Sequence, residues 1–221
     1  INKEAINMAG CRYPGHTELL ADLTQAKESG MMIVGGPLRI MFATTHVAIK
    51  ELPTLLTQAR IEKTIRLAHL ALTTLFGVKR PKIGVAALNP HAGEHGLFGN
   101  EEARVILPAA RTAQAQGILA SDPLPADTLF GKAAKGQYDG IVALYHDQGL
   151  IPLKLVAFGT CVKSTFVPPI DGVYETTTVS RSIVCPNGAS GTGNSQSTFA
   201  PEITPAAIAW KTASYDAVSQ I

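Results

Sequence analysis

The stretch KIGVAALN at 82–89 decides the fold. Its apolar residues run on without polar alternation, as in a strand covered on both faces. Just upstream, Ile61, Ile65, Ala68, Leu72, Leu75 and Phe76 recur at helical spacing, which predicts a helix over 58–76 with one buried stripe. Gly77 ends that helix and Pro81 follows it. Further upstream, MMIVGG (31–36) and LRIMFATT (38–45) read as adjacent strands joined by a glycine-rich turn. Downstream, residues 100–116 read as a helix with Glu101 and Glu102 in its first turn, where acids suit the positive helix end. DTLFGKAAKG (127–136) reads as a short helix capped by Asp127, and DGIVALYH (139–146) as another apolar strand. Strand alternating with helix predicts an α/β fold in which parallel strands are covered by helices on both faces.

Composition sets the class. The chain has 221 residues, of which 46% are hydrophobic and 16% charged, enough to bury a core and too apolar for a disordered chain. A net charge of +2 gives no nucleic-acid footprint. No apolar run reaches membrane-spanning length, and no secretory leader is visible, which predicts a cytoplasmic protein without membrane partners. Three cysteines (Cys11, Cys161 and Cys185) lack metal spacing and fit buried thiols in a reducing compartment. The start at Ile1 predicts a piece of something longer.

Texture changes at Lys163. Residues 163–221 hold 16 Ser or Thr, no His, and the linker-like GASGTGNSQS at 188–197. The expectation is therefore a regular α/β region over 1–162 and an irregular tail over 163–221, with a helix predicted only at 203–218.

Catalytic groups in parallel α/β folds gather beyond the carboxyl ends of the strands. His46, His91 and His146 each stand at such an end. One such imidazole is an ordinary loop hydrogen bonder, but three at equivalent positions suggest a shared metal site with an open position. His69 lies along the 58–76 helix and reads as structural, and His95 as a loop residue. His16 and Thr17 precede a helix, where N–H groups attract anions, although capping by Thr17 explains them equally. Asp127 is a cap or a catalytic acid, and Lys154 in GLIPLKLV either snorkels or holds an anionic group. No G-x-G-x-x-G follows a strand, so the cofactor-binding residues stay unassigned.

The motifs INKEA, YPGHTELL, TTH, NPHAGE, PLPADTLF and YHDQGLIPLK stand in an order that resembles the 4-hydroxythreonine-4-phosphate dehydrogenase (PdxA) family over residues 1 to about 162. The spacings of 45 and 55 residues between His46, His91 and His146 suit that family as well. The resemblance implies a three-layer α/β/α fold like that of isocitrate and isopropylmalate dehydrogenases, here incomplete, and a homodimer with shared active sites. It implies NAD-dependent oxidation and decarboxylation of a small phosphorylated hydroxy amino acid, with NADP as the other nicotinamide option. His46, His91 and His146 would hold a divalent metal (zinc, magnesium, cobalt, manganese or nickel), with one ligand coming from the second subunit. His16, Thr17 and Lys154 would contact substrate, and Asp127 and Lys154 would serve catalysis. The tail departs from the pattern: Lys163 replaces a substrate-binding Asn, and Gly172 stands near a phosphate-side Arg. Alternatives are a dehydrogenase for erythronate or threonate 4-phosphate or for a cyclic diol acid, a metal-dependent hydrolase or lyase, and a non-catalytic metal-binding remnant.

Overall fold

The structure, a computed structural model, describes residues 10, 13, 16–157 and 163–167. Strands β1 (Gly30–Gly35), β2 (Leu38–Phe42), β3 (Lys82–Ala86), β4 (Leu119–Leu124), β5 (Gly140–Ala143) and β6 (Lys163–Val167) form one sheet in the order β4-β3-β5-β2-β1-β6. The pairs β2–β5, β5–β3 and β3–β4 are parallel, while β1 runs antiparallel to both β2 and β6. The helices are α1 (His16–Leu23), the single turn α2 (Leu52–Leu55), α3 (Gln58–Thr74), α4 (Leu107–Ala115), α5 (Ala126–Ala134) and α6 (His146–Val156).

The expected β1–β2 hairpin forms, closing at Gly35 opposite Leu38. Helix α3 follows its predicted stripe, burying Ile61, Ile65, Ala68 and Leu72, and Thr57 caps it by accepting from the Arg60 N–H at 3.2 Å. Side chains of successive β2 residues part to opposite faces of the sheet. Met41 joins Ile61, Ile65, Leu72, Ile106 and Ala110 beneath α3 and α4. Ile40 and Phe42 join Leu129, Phe130 and Leu153 beneath α5 and α6. Helices thus cover the two faces of the parallel strands, as the α/β reading requires. Each fully buried Ile, Leu or Met contributes about 1.5–3 kcal/mol relative to exposure.

Several expectations are corrected. The 100–116 helix begins as a π-turn over Glu102–Ile106 before α4. Pro108 has no N–H to return to the preceding turn, and the hydrogen-bond ladder widens ahead of it. Asp127 does not cap α5: the cap position is Pro125, and among the described residues the Asp127 carboxylate accepts the adjacent Thr128 N–H at 2.7 Å. Strand β4, LASDPL, went unforeseen, because Ser121, Asp122 and Pro123 read as a turn. It lies at the sheet edge, where a proline without an N–H costs no ladder bond. Helix α6 also went unforeseen, with Pro152 inside it. The regular pattern continues past residue 162, since β6 adds to β1 with Gly30 opposite Val167. The helix predicted at 203–218 and the stretch 188–197 lie outside the described residues.

Candidate active site

The carboxyl ends of β2, β3 and β5 carry His46, His91 and His146. Beyond the ends of β2 and β5 the chains stay joined: the Ala43 N–H donates to the Ala143 carbonyl at 2.9 Å, and the buried Thr44 hydroxyl donates to the Leu144 carbonyl at 2.7 Å. This brings the His46 and His146 rings to 5.8 Å between centroids. Two imidazoles sharing one ion, each nitrogen about 2 Å from it, place their centroids roughly 5 Å apart, close to the observed separation. Thr45, His46, Val47, Tyr145, His146 and Asp147 line a cavity of about 230 Å³ there.

His146 opens α6, and its Nδ1 lies 2.6 Å from the Asp147 carboxylate. The junction is held by Gln148, which sequence reasoning missed. Its side chain is buried; Oε1 accepts the Leu144 N–H at 2.7 Å, and Nε2 donates to the Ala87 carbonyl at 2.7 Å. One amide therefore ties the end of β5 to the end of β3. Gly149 lets α6 lie directly on β2, since a Cβ there would stand 2.6 Å from Phe42.

His91 is held differently. His91, Ala92, Gly93, Glu94 and His95 all have φ between 41° and 82°. The left-handed region costs a non-glycine residue roughly 1–2 kcal/mol, so the four involved store on the order of 5 kcal/mol. Glu102 underlies this turn. Its buried Oε1 accepts the N–H groups of Leu88 at 2.8 Å and Asn89 at 2.7 Å, and Oε2 accepts from the Asn89 amide at 3.0 Å. The Asn89 amide also donates to Glu101 at 2.7 Å, and this bond holds the Glu101 carboxyl below its usual pKa. The acid pair expected to serve the helix dipole instead braces the preceding turn.

The His91 ring lies against Phe98, with centroids 5.9 Å apart, and not in the His46–His146 cavity. Among the described residues no three His, Cys, Asp or Glu side chains stand where they could hold one metal ion. One chain brings two of its three strand-end histidines together. Lys154 is exposed in the last turn of α6, about 12 Å along the helix from His146 at 1.5 Å per residue. Asp127 is exposed in the first turn of α5, and no ion pair joins it to Lys154 among the described residues. His16 and Thr17 begin α1. That helix is tied to the His46 loop through the Thr45 hydroxyl, which donates to Glu18 at 3.4 Å. His69 lies on α3, as expected, and His95 belongs to the left-handed turn.

Parallel strands with polar groups gathered beyond their carboxyl ends define a class of α/β proteins built around such a crevice. Comparison narrows the class. The family model described as "Pyridoxal phosphate biosynthetic protein PdxA" matches residues 1–172, reaching past the 162 expected from the motifs. The chain is 52% identical over 170 residues to a 4-hydroxythreonine-4-phosphate dehydrogenase of Geobacter metallireducens, covering 77% of this chain and 50% of that protein. It is 48% identical over 158 residues to a D-threonate 4-phosphate dehydrogenase of Salmonella typhimurium, covering 72% and 48%. A crystal structure of the 4-hydroxythreonine-4-phosphate dehydrogenase from Klebsiella pneumoniae matches with a TM-score of 0.68 and 46% identity, over 76% of this chain and 51% of that one. The chain belongs to the PdxA family. It spans about half the length of the curated relatives it matches.

Proposed function

We propose that the protein containing this chain is a cytoplasmic, NAD- and divalent-metal-dependent dehydrogenase that oxidises and decarboxylates 4-phosphooxy-L-threonine in pyridoxal phosphate synthesis. The observation that carries this reading is the His46–His146 pair at 5.8 Å, beside a cavity at the ends of two parallel strands, in a chain of this family. No helix among the described residues is long and apolar enough to cross a membrane.

His46 and His146 supply two imidazole nitrogens. Asp147 beside Nδ1 of His146 fixes the tautomer that leaves Nε2 free to ligate, a common arrangement of carboxylate and metal-binding histidine. The third nitrogen comes from His91 of a second copy in a homodimer with shared sites, because one chain keeps His91 apart from the pair. When bound, the ion supplies Lewis-acid polarisation of the substrate hydroxyl and NAD supplies the hydride acceptor. Lys154 offsets substrate negative charge or relays a proton with Asp127, and His16 and Thr17 contact the substrate from α1. A relative named for D-threonate 4-phosphate is nearly as similar as one named for 4-hydroxythreonine 4-phosphate, which keeps that acid as the second substrate reading.

The test measures metal content and Tm of the 221-residue protein with and without chelator, then NAD reduction with each phosphorylated acid. About one ion per chain, lost with a fall in Tm, together with reduction by 4-phosphooxy-L-threonine, is expected. Metal-free protein with no chelator effect would overturn the metal reading. Reduction by D-threonate 4-phosphate alone would reassign the substrate.

A further inference from the structure

The turn carrying His91 has four non-glycine residues, among them His91 itself, in the left-handed region, a conformation that persists only where its surroundings over-determine it. The surroundings here converge on one group. Glu102 is 6% exposed and takes three N–H donors from the two residues that lead into the turn, Leu88 and Asn89. It also reaches under the turn itself: a Cβ on Gly93 would stand 2.7 Å from Glu102 Oε2 and 2.9 Å from the Gly99 carbonyl. The turn closes above it, where the Phe98 N–H donates to the Gly93 carbonyl at 3.1 Å. A carboxylate offers acceptors alone on both oxygens, and the three groups that hydrogen-bond to this one are all N–H donors.

We propose that Glu102 is the positioning residue for His91: its carboxylate holds the left-handed turn in the one conformation that presents the imidazole for ligation. The proposal rests on the reading of His91 as a metal ligand. Glu102 touches neither metal nor substrate and acts through the backbone N–H groups of Leu88 and Asn89 and the Asn89 side-chain amide. Gln at 102 keeps one acceptor for the two backbone N–H groups but sets an NH2 against the Asn89 amide, donor against donor. Ala removes all of it.

The experiment is Co²⁺ titration of the full 221-residue chain, read by visible absorption, for wild type, Glu102→Gln, His91→Ala and the double variant. Amide hydrogen exchange at Leu88 and Asn89 is followed alongside. Glu102→Gln is expected to weaken Co²⁺ binding about tenfold, the usual cost of losing a partner that orients a ligand. It should speed exchange at both amides while leaving Tm close to wild type. In the His91→Ala background the same change should weaken Co²⁺ no further, because the residue through which it acts is gone. Equal weakening in both backgrounds would overturn the proposal, as would wild-type exchange at Leu88 and Asn89 in Glu102→Gln. Glu102→Ala, should it fold, must be weaker than Glu102→Gln; the reverse order also counts against it. Unchanged Co²⁺ binding in His91→Ala alone, with exchange accelerated in Glu102→Gln, would overturn the metal reading while showing the brace to be real.

Discussion

Two strand-end turns in this molecule deliver an imidazole by opposite means. At the end of β5 the chain turns directly into α6, His146 sits in relaxed backbone at the first helical position, and a neutral amide, Gln148, locks the junction with one donor and one acceptor. At the end of β3 the chain enters five successive left-handed residues, and carboxylates hold it. The first turn places its histidine beside His46, and the second sends its histidine outward against Phe98. The histidine that faces its own chain's cavity rides on ordinary secondary structure, and the one that projects from the body rides on a strained turn with a buried brace beneath it.

That contrast can be broken most directly at Gln148. Gln148→Ala strands the Leu144 N–H and the Ala87 carbonyl in the interior, and each buried orphan costs 1–3 kcal/mol, about 3 in all. Tm should fall by roughly 10 °C for a chain of this length. Because Gln148 spans both strand ends, protection should drop at both turns; loss confined to His146 would mean that the two sites are independent. Gly149→Ala should act on the His146 side alone. The new methyl would meet Phe42 at 2.6 Å and Ile40 at 2.9 Å, lifting α6 for about 2 kcal/mol by overpacking. Wild-type exchange at Leu88 and Asn89 in this variant is the expected signature. Gly93→Ala is the counterpart on the other turn. With φ at +82° and Glu102 2.7 Å from the new Cβ, it should cost about 1–2 kcal/mol and open Leu88 and Asn89 while leaving Leu144 protected.

The same contrast explains what could be read from the chain beforehand. The hairpin, α3, β3 and β5 announce themselves through periodicity, because each pays for its backbone order with a clean apolar face. Strand β4 hides, because an edge strand can carry Ser121, Asp122 and Pro123 without losing ladder bonds. Helix α6 hides because Gly149 and Pro152 interrupt it, and both are accommodated by packing that sequence does not display. The three histidines were legible as strand-end residues, but their grouping was not. Strand β5 neighbours both β2 and β3, so sheet order alone gives His46 and His91 equal access to His146, and the left-handed turn carries His91 against Phe98 instead. Glu102 was visible as an acid near a helix start, and that local role concealed the long-range one, since Leu88 and Asn89 lie 14 and 13 residues away.

The smallest effect expected concerns acid. The His146 junction is locked by an amide that does not titrate, whereas the His91 turn leans on carboxylates. Glu101 has its pKa held below the ordinary carboxylate value, chiefly by the Asn89 amide, with its own backbone and nearby Arg104 adding to the effect and partial burial opposing it. A carboxyl lowered on folding contributes stability that is present above its unfolded pKa and lost as pH falls through its folded pKa. The partly exposed position limits this to about 0.5 kcal/mol or less. In the metal-free chain, lowering the pH through the carboxylate range, roughly pH 5 to 2, should shift the Asn89 side-chain amide resonances before the Leu144 N–H gains exchange. Glu101→Gln should remove that early shift. If Leu144 opens first, the two turns are not braced by different chemistry; if Asn89 moves at the same pH in Glu101→Gln, Glu101 is not the carboxylate that moves it.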